Sequence, residues 1–247
     1  MKYRLFLLDL DDTLLDFQAS EREAFARLLK SLGHDGPLEA MYRDYQAINQ
    51  SLWRQFEQGA VAKEVLKVER FRATFARHAP GLDAAVASEH YLDTLADTVV
   101  LIDGALALCE QLAAHGELGV ITNGVERIQT RRIDASGLSR FIRFVATSEA
   151  CGHAKPDPRF FEDAVARARR FHRPETVIIG DRLDADILGA QRFGIDSCWF
   201  NPRGLPNDTA KDAPALGAPQ GAILPTCEVR RLDEVVPTLR RVSARQT

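Results

Sequence analysis

Short apolar runs, separated by longer amphipathic stretches, constrain the fold of this chain more than any other feature. Five runs have the length of buried strands, and they cover residues 3–10, 118–122, 144–147, 177–180 and 197–200. Amphipathic segments with helical spacing follow them, over residues 105–114, 125–136, 158–170 and 184–193. This alternation is typical of a parallel sheet with helices on both faces. The sequence therefore predicts an α/β, Rossmann-like doubly wound parallel sheet.

Residues 17–100 differ from the rest of the chain because they show helical patterns and no convincing strand. We interpret them as a helical cap domain inserted after the first strand, between the two parts of an α/β core domain, 1–16 and 101–247. Ligands bind beyond the carboxyl ends of the strands in open α/β sheets. An insertion at this place in the chain is therefore a candidate lid over a binding site.

Charge and composition exclude several classes of partner. The 247 residues carry a formal net charge of -3, so neither a nucleic-acid nor a membrane-surface partner is expected. Asp9 interrupts the first apolar run too early for a signal peptide or a membrane span, which predicts a cytoplasmic protein. The four cysteines form no CxxC pair, so neither a zinc site nor a disulfide framework is expected. The stretch 203–226 is rich in Pro, Gly and Ala and is predicted to be irregular. The sequence does not distinguish a monomer from a homodimer.

An unusual concentration of acidic residues follows the first apolar run, in the sequence LFLLDLDDT. Three carboxylates lie within four positions, where they repel one another and lose solvation on burial. A purely structural segment has little reason to gather them. We therefore expect a cation to lie among these side chains.

Reactive side chains occur at the ends of four of the predicted strands. They are Asp9 and Asp11 after the first, Thr122, Asn123 and Gly124 after the second, Lys155 shortly after the third, and Asp181 and Asp186 after the fourth. The carboxyl ends of parallel strands lie along one edge of a sheet, so these groups should converge. Carboxylate oxygens are ligands that Mg²⁺ prefers, and Mg²⁺ commonly binds substrate phosphates. The set predicts Mg²⁺-assisted phosphoryl transfer.

The chemistry of that transfer suggests a role for each side chain. Asp9 would attack phosphorus and form an aspartyl-phosphate. Asp11 would protonate the leaving oxygen and later take a proton from water. Hydrogen bonds and positive charge would stabilise the phosphoryl oxygens. The predicted phosphate-binding residues are Thr122, Asn123, Gly124 and Lys155.

Four segments of the chain resemble the ordered motifs of the haloacid dehalogenase superfamily: DLDDT at 9–13, ITNG at 121–124, AKPD at 154–157 and GDRLDAD at 180–186. The helical insertion resembles that family's cap. The resemblance implies that Asp9 is the nucleophile, that Asp11 is the acid/base, and that Thr122 and Lys155 bind phosphate. It further implies Mg²⁺ held by Asp9, the Asp11 backbone carbonyl and Asp181, with Asp186 acting directly or through water.

Three further segments resemble bacterial pyrimidine 5′-nucleotidases: YQAINQSLWRQFEQGAV in the insertion, and GVERIQTRRIDASGL and SEACGHAKPDPRFF beyond it. This resemblance implies that the substrate is a small-molecule phosphate ester, with a nucleoside 5′-monophosphate as the leading candidate. Asn49 and Trp53 are four residues apart, so both could lie on one helix face and contact substrate.

Other functions remain open at the level of sequence. A sugar-phosphate or phosphoglycolate phosphatase, or a phosphomutase, would use the same residues. A haloacid dehalogenase of this superfamily lacks an acid equivalent to Asp11, because a departing halide needs no proton. A receiver-type signalling domain also combines acidic residues with a phosphorylated Asp, a Thr and a Lys, but such domains are about half this length and have no helical cap.

Overall fold

The computed structural model describes residues 1–207 and 222–245. The chain divides into two compact units, which we call the sheet unit (Met1–Asp16 and Leu101–Thr247) and the helical unit (Phe17–Val100). Residues 208–221 belong to the stretch predicted to be irregular and lie outside the described residues. Within the described ranges no helix combines the length and the apolar character needed to cross a membrane.

A parallel sheet forms the centre of the sheet unit. Its described strands are β1 (Leu5–Leu8), β2 (Glu117–Thr122), β3 (Ile142–Thr147), β4 (Thr176–Gly180), β5 (Asp196–Phe200) and β6 (Cys227–Val229). Every pairing is parallel, and the strand order is β3-β2-β1-β4-β5-β6. All residues of β1 and β4 are buried, as expected for central strands covered by helices on both faces. The predicted α/β fold with a doubly wound parallel sheet is confirmed.

The first strand is shorter than predicted. It ends at Leu8, and the chain then folds back, with the N–H groups of Leu14 and Leu15 both donating to the Leu10 carbonyl at 2.9 Å. Asp9 still donates its N–H to the Ile179 carbonyl at 2.9 Å, so it continues the ladder to β4 beyond the strand. The sequence did not predict β6, because a strand of three residues is too short to show a periodic pattern.

Four helices form the helical unit: α1 (Phe17–Ser31), α2 (Leu38–Glu57), α3 (Lys63–His78) and α4 (Ala84–Asp97). Aromatic rings from all four helices form its core, with neighbouring ring centroids 4.5–6.3 Å apart. These rings belong to Phe25, Tyr42, Tyr45, Phe71 and Tyr91. Aromatic pairs at such distances stabilise a core beyond the area that they bury. The unit therefore has its own hydrophobic core.

The sheet unit contains six further α-helices among its described residues: α5 (Ala105–Ala113), α6 (Glu126–Ala135), α7 (Ser148–Cys151), α8 (Pro158–Ala166), α9 (Leu188–Phe193) and α10 (Val235–Arg245). Helix α8 begins as its sequence predicts, with the Asp157 carboxylate accepting the Arg159 N–H at 3.0 Å and Pro158 in the first turn. A π-helical turn, Leu183–Ile187, precedes α9.

The topology places the switch point of the sheet at the carboxyl end of β1. Strands β2 and β3 lie on one side of β1, and β4, β5 and β6 lie on the other. The winding direction reverses there, and in open parallel sheets ligands bind beyond the carboxyl ends of the strands at such a point. Asp9 follows β1, Thr122 ends β2 and Asp181 follows β4. Three predicted site residues therefore lie at the switch point.

Packing between β2 and β3 predicts a stability effect at Gly119. A Cβ atom at this position would lie 2.1 Å from the Phe144 ring. We expect Gly119→Ala to lower the free energy of unfolding by about 1–3 kcal/mol, the usual cost of overpacking a core. Gly81→Ala is the matched control, because a Cβ there meets no atom within 4 Å. Urea denaturation measures both, and equal stabilities for the two variants would contradict the packing described.

Candidate active site

The ammonium group of Lys155 lies between two carboxylates. Its Nζ donates hydrogen bonds to Asp9 Oδ1 at 2.6 Å, to Asp186 Oδ1 at 2.7 Å and to the Ile121 carbonyl at 2.9 Å. Lys155 is 2% exposed, so these three bonds use its three donors inside the protein. Burial acts to lower the pKa of Lys155, but attraction from Asp186 and Asp9 outweighs burial and raises it. Lys155 is therefore a fixed positive charge in the site.

Asp9 is buried at the end of β1, with both carboxylate oxygens engaged. Oδ1 accepts from Lys155, and Oδ2 accepts from the Thr13 hydroxyl at 3.0 Å. Burial raises the pKa of Asp9 to about 7, with Lys155 acting in the opposite direction and Asp186 adding to the increase. Burial thus destabilises the ionised Asp9 carboxylate more than Lys155 alone stabilises it.

Thr13 connects Asp9 to Asp181. The Thr13 hydroxyl accepts the Asp181 N–H at 3.1 Å while its proton is directed to Asp9. The Asp181 carbonyl accepts the indole N–H of Trp199 at 2.8 Å, which fixes the loop after β4 to β5. Burial raises the pKa of Asp181, and repulsion from Asp9 and Asp186 raises it further.

Asp186 is placed by the π-helical turn after β4. It is 1% exposed, and its Oδ2 accepts the Arg182 N–H at 3.1 Å while Oδ1 accepts from Lys155. A Cβ atom on Gly180 would lie 2.4 Å from the Asp186 carboxylate. The glycine at the end of β4 therefore leaves the space that this carboxylate occupies.

The donor set fits a magnesium ion. Asp9, Asp181 and Asp186 each offer one carboxylate oxygen, and the three oxygens lie within 4.8 Å of one another. Mg²⁺ binds oxygen ligands, usually one or two carboxylates together with waters and substrate phosphates. The raised pKa values of Asp9 and Asp181 show the cost of gathering these charges, which a cation would offset. In the part of the chain that the structure describes, this group includes no carboxylate oxygen of Asp11. The ligand expected from Asp11 is its backbone carbonyl.

Asn123 positions Lys155 through the backbone. Its Oδ1 accepts the Lys155 N–H at 2.8 Å, and its Nδ2 donates to the Lys155 carbonyl at 3.1 Å. Ser148 in turn donates its hydroxyl to the Asn123 carbonyl at 2.9 Å. The side chain predicted to bind phosphate thus holds the lysine backbone, and a contact with phosphate stays a prediction.

Thr122 is buried at the end of β2, where its hydroxyl oxygen accepts two hydrogen bonds. They come from the Gly124 N–H at 3.0 Å and from Gln129 Nε2 at 3.1 Å. Neither bond uses the hydroxyl proton, so the Thr122 hydroxyl can still donate a hydrogen bond. The predicted phosphate-binding roles of Thr122 and Gly124 stay predictions.

Asp11 contacts two residues that the sequence did not indicate. Gln129 Nε2 donates to Asp11 Oδ2 at 2.5 Å, and Arg132 Nη1 pairs with Asp11 Oδ1. Both partners lie on α6 within the predicted amphipathic segment 125–136, three residues apart, and both are buried. Their spacing on one helix face was a possible signal, but polar residues at that spacing more often form a solvated face.

The two candidate substrate contacts of the helical unit differ in burial. Asn49 is 3% exposed; its Nδ2 donates to Glu21 Oε1 at 2.9 Å, and its Oδ1 accepts from Arg70 Nη1 at 3.3 Å. These described contacts are internal to the helical unit. Trp53 is half-buried and packs edge-to-face on Phe56 with ring centroids 5.7 Å apart. A substrate contact by either residue stays a prediction.

Comparison with known proteins identifies relatives that match most of the chain. A family model described as haloacid dehalogenase-like hydrolase matches residues 3–194. The HAD-hydrolase YfnB of Bacillus subtilis is 37% identical over 235 residues, which cover 95% of this chain and 94% of that protein. The pyrimidine 5′-nucleotidase PynA of Streptococcus pneumoniae is 36% identical over 211 residues, which cover 85% and 88% respectively.

A solved structure of YfnB from Bacillus subtilis, bound to magnesium, superposes with a TM-score of 0.85 at 35% identity. The match covers 97% of this chain and 100% of that chain. The similarity therefore extends over both the sheet unit and the helical unit.

The raised pKa of Asp9 predicts a pH-dependent affinity for Mg²⁺. A metal ligand must be ionised, so below about pH 7 the metal competes with a proton on Asp9. We expect the apparent Mg²⁺ affinity, measured by isothermal titration calorimetry, to increase as the pH rises towards 7, by up to about tenfold per pH unit for each proton that the metal displaces.

Two variants in the loop after β4 give the control for this measurement. Asp181→Asn removes one of the clustered carboxylates and should weaken Mg²⁺ binding at least about tenfold, since even the outer partners of metal ligands contribute that much. Asp184→Asn changes an exposed carboxylate outside the cluster and should leave the affinity unchanged. A Mg²⁺ affinity that does not change with pH would contradict metal binding by Asp9.

Proposed function

The chain belongs to the haloacid dehalogenase-like hydrolase family, and from this premise we propose that it hydrolyses phosphate monoesters through a phosphorylated Asp9. One observation carries the proposal: two carboxylates only two residues apart have different surroundings. Asp9 lies in the cluster with Lys155, Asp181 and Asp186, whereas Asp11 is held by a separate set of donors. Different surroundings suit different chemical roles.

The reaction proceeds in two balanced steps. A carboxylate oxygen of Asp9 attacks phosphorus, the ester P–O bond breaks, and the departing alcohol oxygen takes the proton of Asp11, which enters this step as the carboxylic acid. Water then attacks the phosphorus of the aspartyl-phosphate, Asp11 takes a proton from this water, and the P–O bond to Asp9 breaks to release phosphate. Asp11 and Asp9 thus return to their starting states.

The remaining groups stabilise charge on the phosphoryl oxygens. Lys155 supplies a fixed positive charge, and the Thr122 hydroxyl supplies a donor at the end of β2. Mg²⁺ bound at Asp9, Asp181 and the Asp11 backbone carbonyl, with Asp186 nearby, would supply further positive charge. Asn123 contributes by fixing the Lys155 backbone.

A proton-donating Asp11 favours a phosphate ester over a halogenated acid. An alkoxide leaving group is strongly basic and needs a proton as it departs, whereas a halide does not. The chain provides this carboxylate, and it is 29% exposed, so the side chain is accessible. The presence of Asp11 therefore favours phosphate-ester hydrolysis over dehalogenation.

Nucleoside 5′-monophosphates are the proposed substrates. This choice is supported by the pyrimidine 5′-nucleotidase from Streptococcus pneumoniae, which matches 85% of this chain. In this proposal the helical unit, residues 17–100, is the cap that selects the substrate, and 1–16 with 101–247 form the catalytic domain. Trp53 is the more exposed of the two candidate cap contacts.

Phosphate release from a panel of esters tests the proposal. The panel contains nucleoside monophosphates, sugar phosphates and phosphoglycolate, each assayed with Mg²⁺ and with EDTA. We expect metal-dependent turnover that is fastest on nucleoside monophosphates. Asp9→Asn should lower kcat at least about 10³-fold, as loss of a nucleophile does in other covalent enzymes.

Asp12→Asn is the matched control for Asp9→Asn. Asp12 belongs to the same acidic stretch and has a positive φ of 60°, a conformation that Asn tolerates well. We expect this variant to keep most of the activity. Turnover by Asp9→Asn equal to that of the unaltered protein would contradict the proposed nucleophile. Turnover of sugar phosphates alone would contradict the nucleotide substrate, and halide release from a haloacid without metal would indicate a dehalogenase.

A further inference from the structure

Both carboxylate oxygens of Asp11 are held by side chains of α6. Gln129 Nε2 donates to Oδ2 at 2.5 Å, and Arg132 Nη1 pairs with Oδ1. The same Arg132 nitrogen lies 3.0 Å from Gln129 Oε1, so the two partners also bind each other. A carboxylate held at both oxygens has a defined orientation.

Neither partner is placed to act on a substrate directly. Arg132 is fully buried and Gln129 is 3% exposed, whereas the Asp11 side chain is 29% exposed. A ligand that enters the site can therefore reach Asp11 but not the guanidinium behind it. Arg132 therefore acts on the reaction through the residues it contacts, Asp11 and Gln129.

Gln129 also connects Asp11 to the phosphate-binding end of β2. The amide nitrogen that donates to Asp11 lies 3.1 Å from the Thr122 hydroxyl oxygen as well. A Cβ atom on Gly124 would lie 2.3 Å from this nitrogen. Gly124 does not have a positive φ, so the space for Gln129 explains the glycine better than backbone conformation does.

We propose that Gln129 and Arg132 are positioning residues that hold the Asp11 carboxyl group towards the oxygen of the departing alcohol. The inference rests on the proposed function, because it requires Asp11 to act as the proton donor. It also assigns a role to Gly124, which admits Gln129 between Thr122 and Asp11.

The alternative is a structural ion pair that merely fastens α6 to the loop after β1. The two roles differ in how the loss depends on the leaving group. An alkyl ester releases a strongly basic alkoxide and needs the proton from Asp11, whereas p-nitrophenyl phosphate releases a stable phenolate and does not. A structural defect lowers the amount of competent enzyme and reduces activity on both esters equally.

The test compares kcat/KM for uridine 5′-monophosphate and glycerol 3-phosphate with kcat/KM for p-nitrophenyl phosphate. This constant covers the steps up to departure of the leaving group, so the later attack by water does not enter it. The variants are Gln129→Met, Arg132→Met and Arg132→Lys. Arg131→Met is the matched control, because Arg131 is the adjacent arginine on α6 and is exposed.

We expect Arg132→Met to lower kcat/KM for the alkyl esters by about 10²-fold or more, since a positioned general acid contributes about 10²–10⁴-fold. The aryl ester should lose much less, so that the aryl-to-alkyl ratio rises at least about tenfold. Arg132→Lys should recover part of the alkyl activity because it keeps a cation on α6. Arg131→Met should leave the ratio unchanged.

Gln129→Met keeps the test decisive if Arg132→Met does not fold, because it removes the amide without leaving a buried charge. It should also raise the aryl-to-alkyl ratio. Equal losses on both classes of ester would overturn the positioning role and leave the proposed function intact. No hydrolysis of any ester by the unaltered protein would instead overturn the proposed function, and with it the premise of this inference.

Discussion

The buried ammonium group of Lys155 is the interaction on which the rest of the site depends. Carboxylates at the end of β1 and in the turn after β4 would repel one another and resist burial without a cation between them. Lys155 precedes α8, donates to Asp9, Asp186 and the Ile121 carbonyl of β2, and is held at its backbone by Asn123. One side chain thus connects the ends of three strands and keeps an acidic cluster compatible with a folded core.

The short β1 strand explains how two neighbouring acids acquire different environments. Because the strand ends at Leu8 and the chain folds back, Asp9 remains on the ladder to β4 while Asp11 turns towards α6. Asp9 lies with Lys155 and the clustered carboxylates, and Asp11 lies with an amide and a guanidinium. A division between nucleophile and proton donor follows from this separation.

The sequence could predict the α/β fold because central parallel strands appear as continuous apolar runs, and it could predict which side chains converge because parallel strands end along one edge. The contacts of Asp11 with Gln129 and Arg132 could not be predicted, since a buried polar face and a solvated face have the same helical spacing. The clamp of Asn123 on the Lys155 backbone depends on loop geometry that no periodic pattern encodes. Burial of Asn49 beside Glu21 and Arg70 likewise depends on tertiary packing.

Chemical trapping of the phosphorylated intermediate tests directly whether Asp9 is the nucleophile. The protein would be mixed with Mg²⁺ and uridine 5′-monophosphate, quenched in acid during turnover, reduced with borohydride and digested for mass spectrometry. Borohydride reduces an aspartyl-phosphate to homoserine and leaves a free carboxylate unchanged. We expect homoserine at position 9 only when substrate and metal were both present. Conversion of a different aspartate, or an unmodified Asp9 in a sample that is turning over, would contradict it.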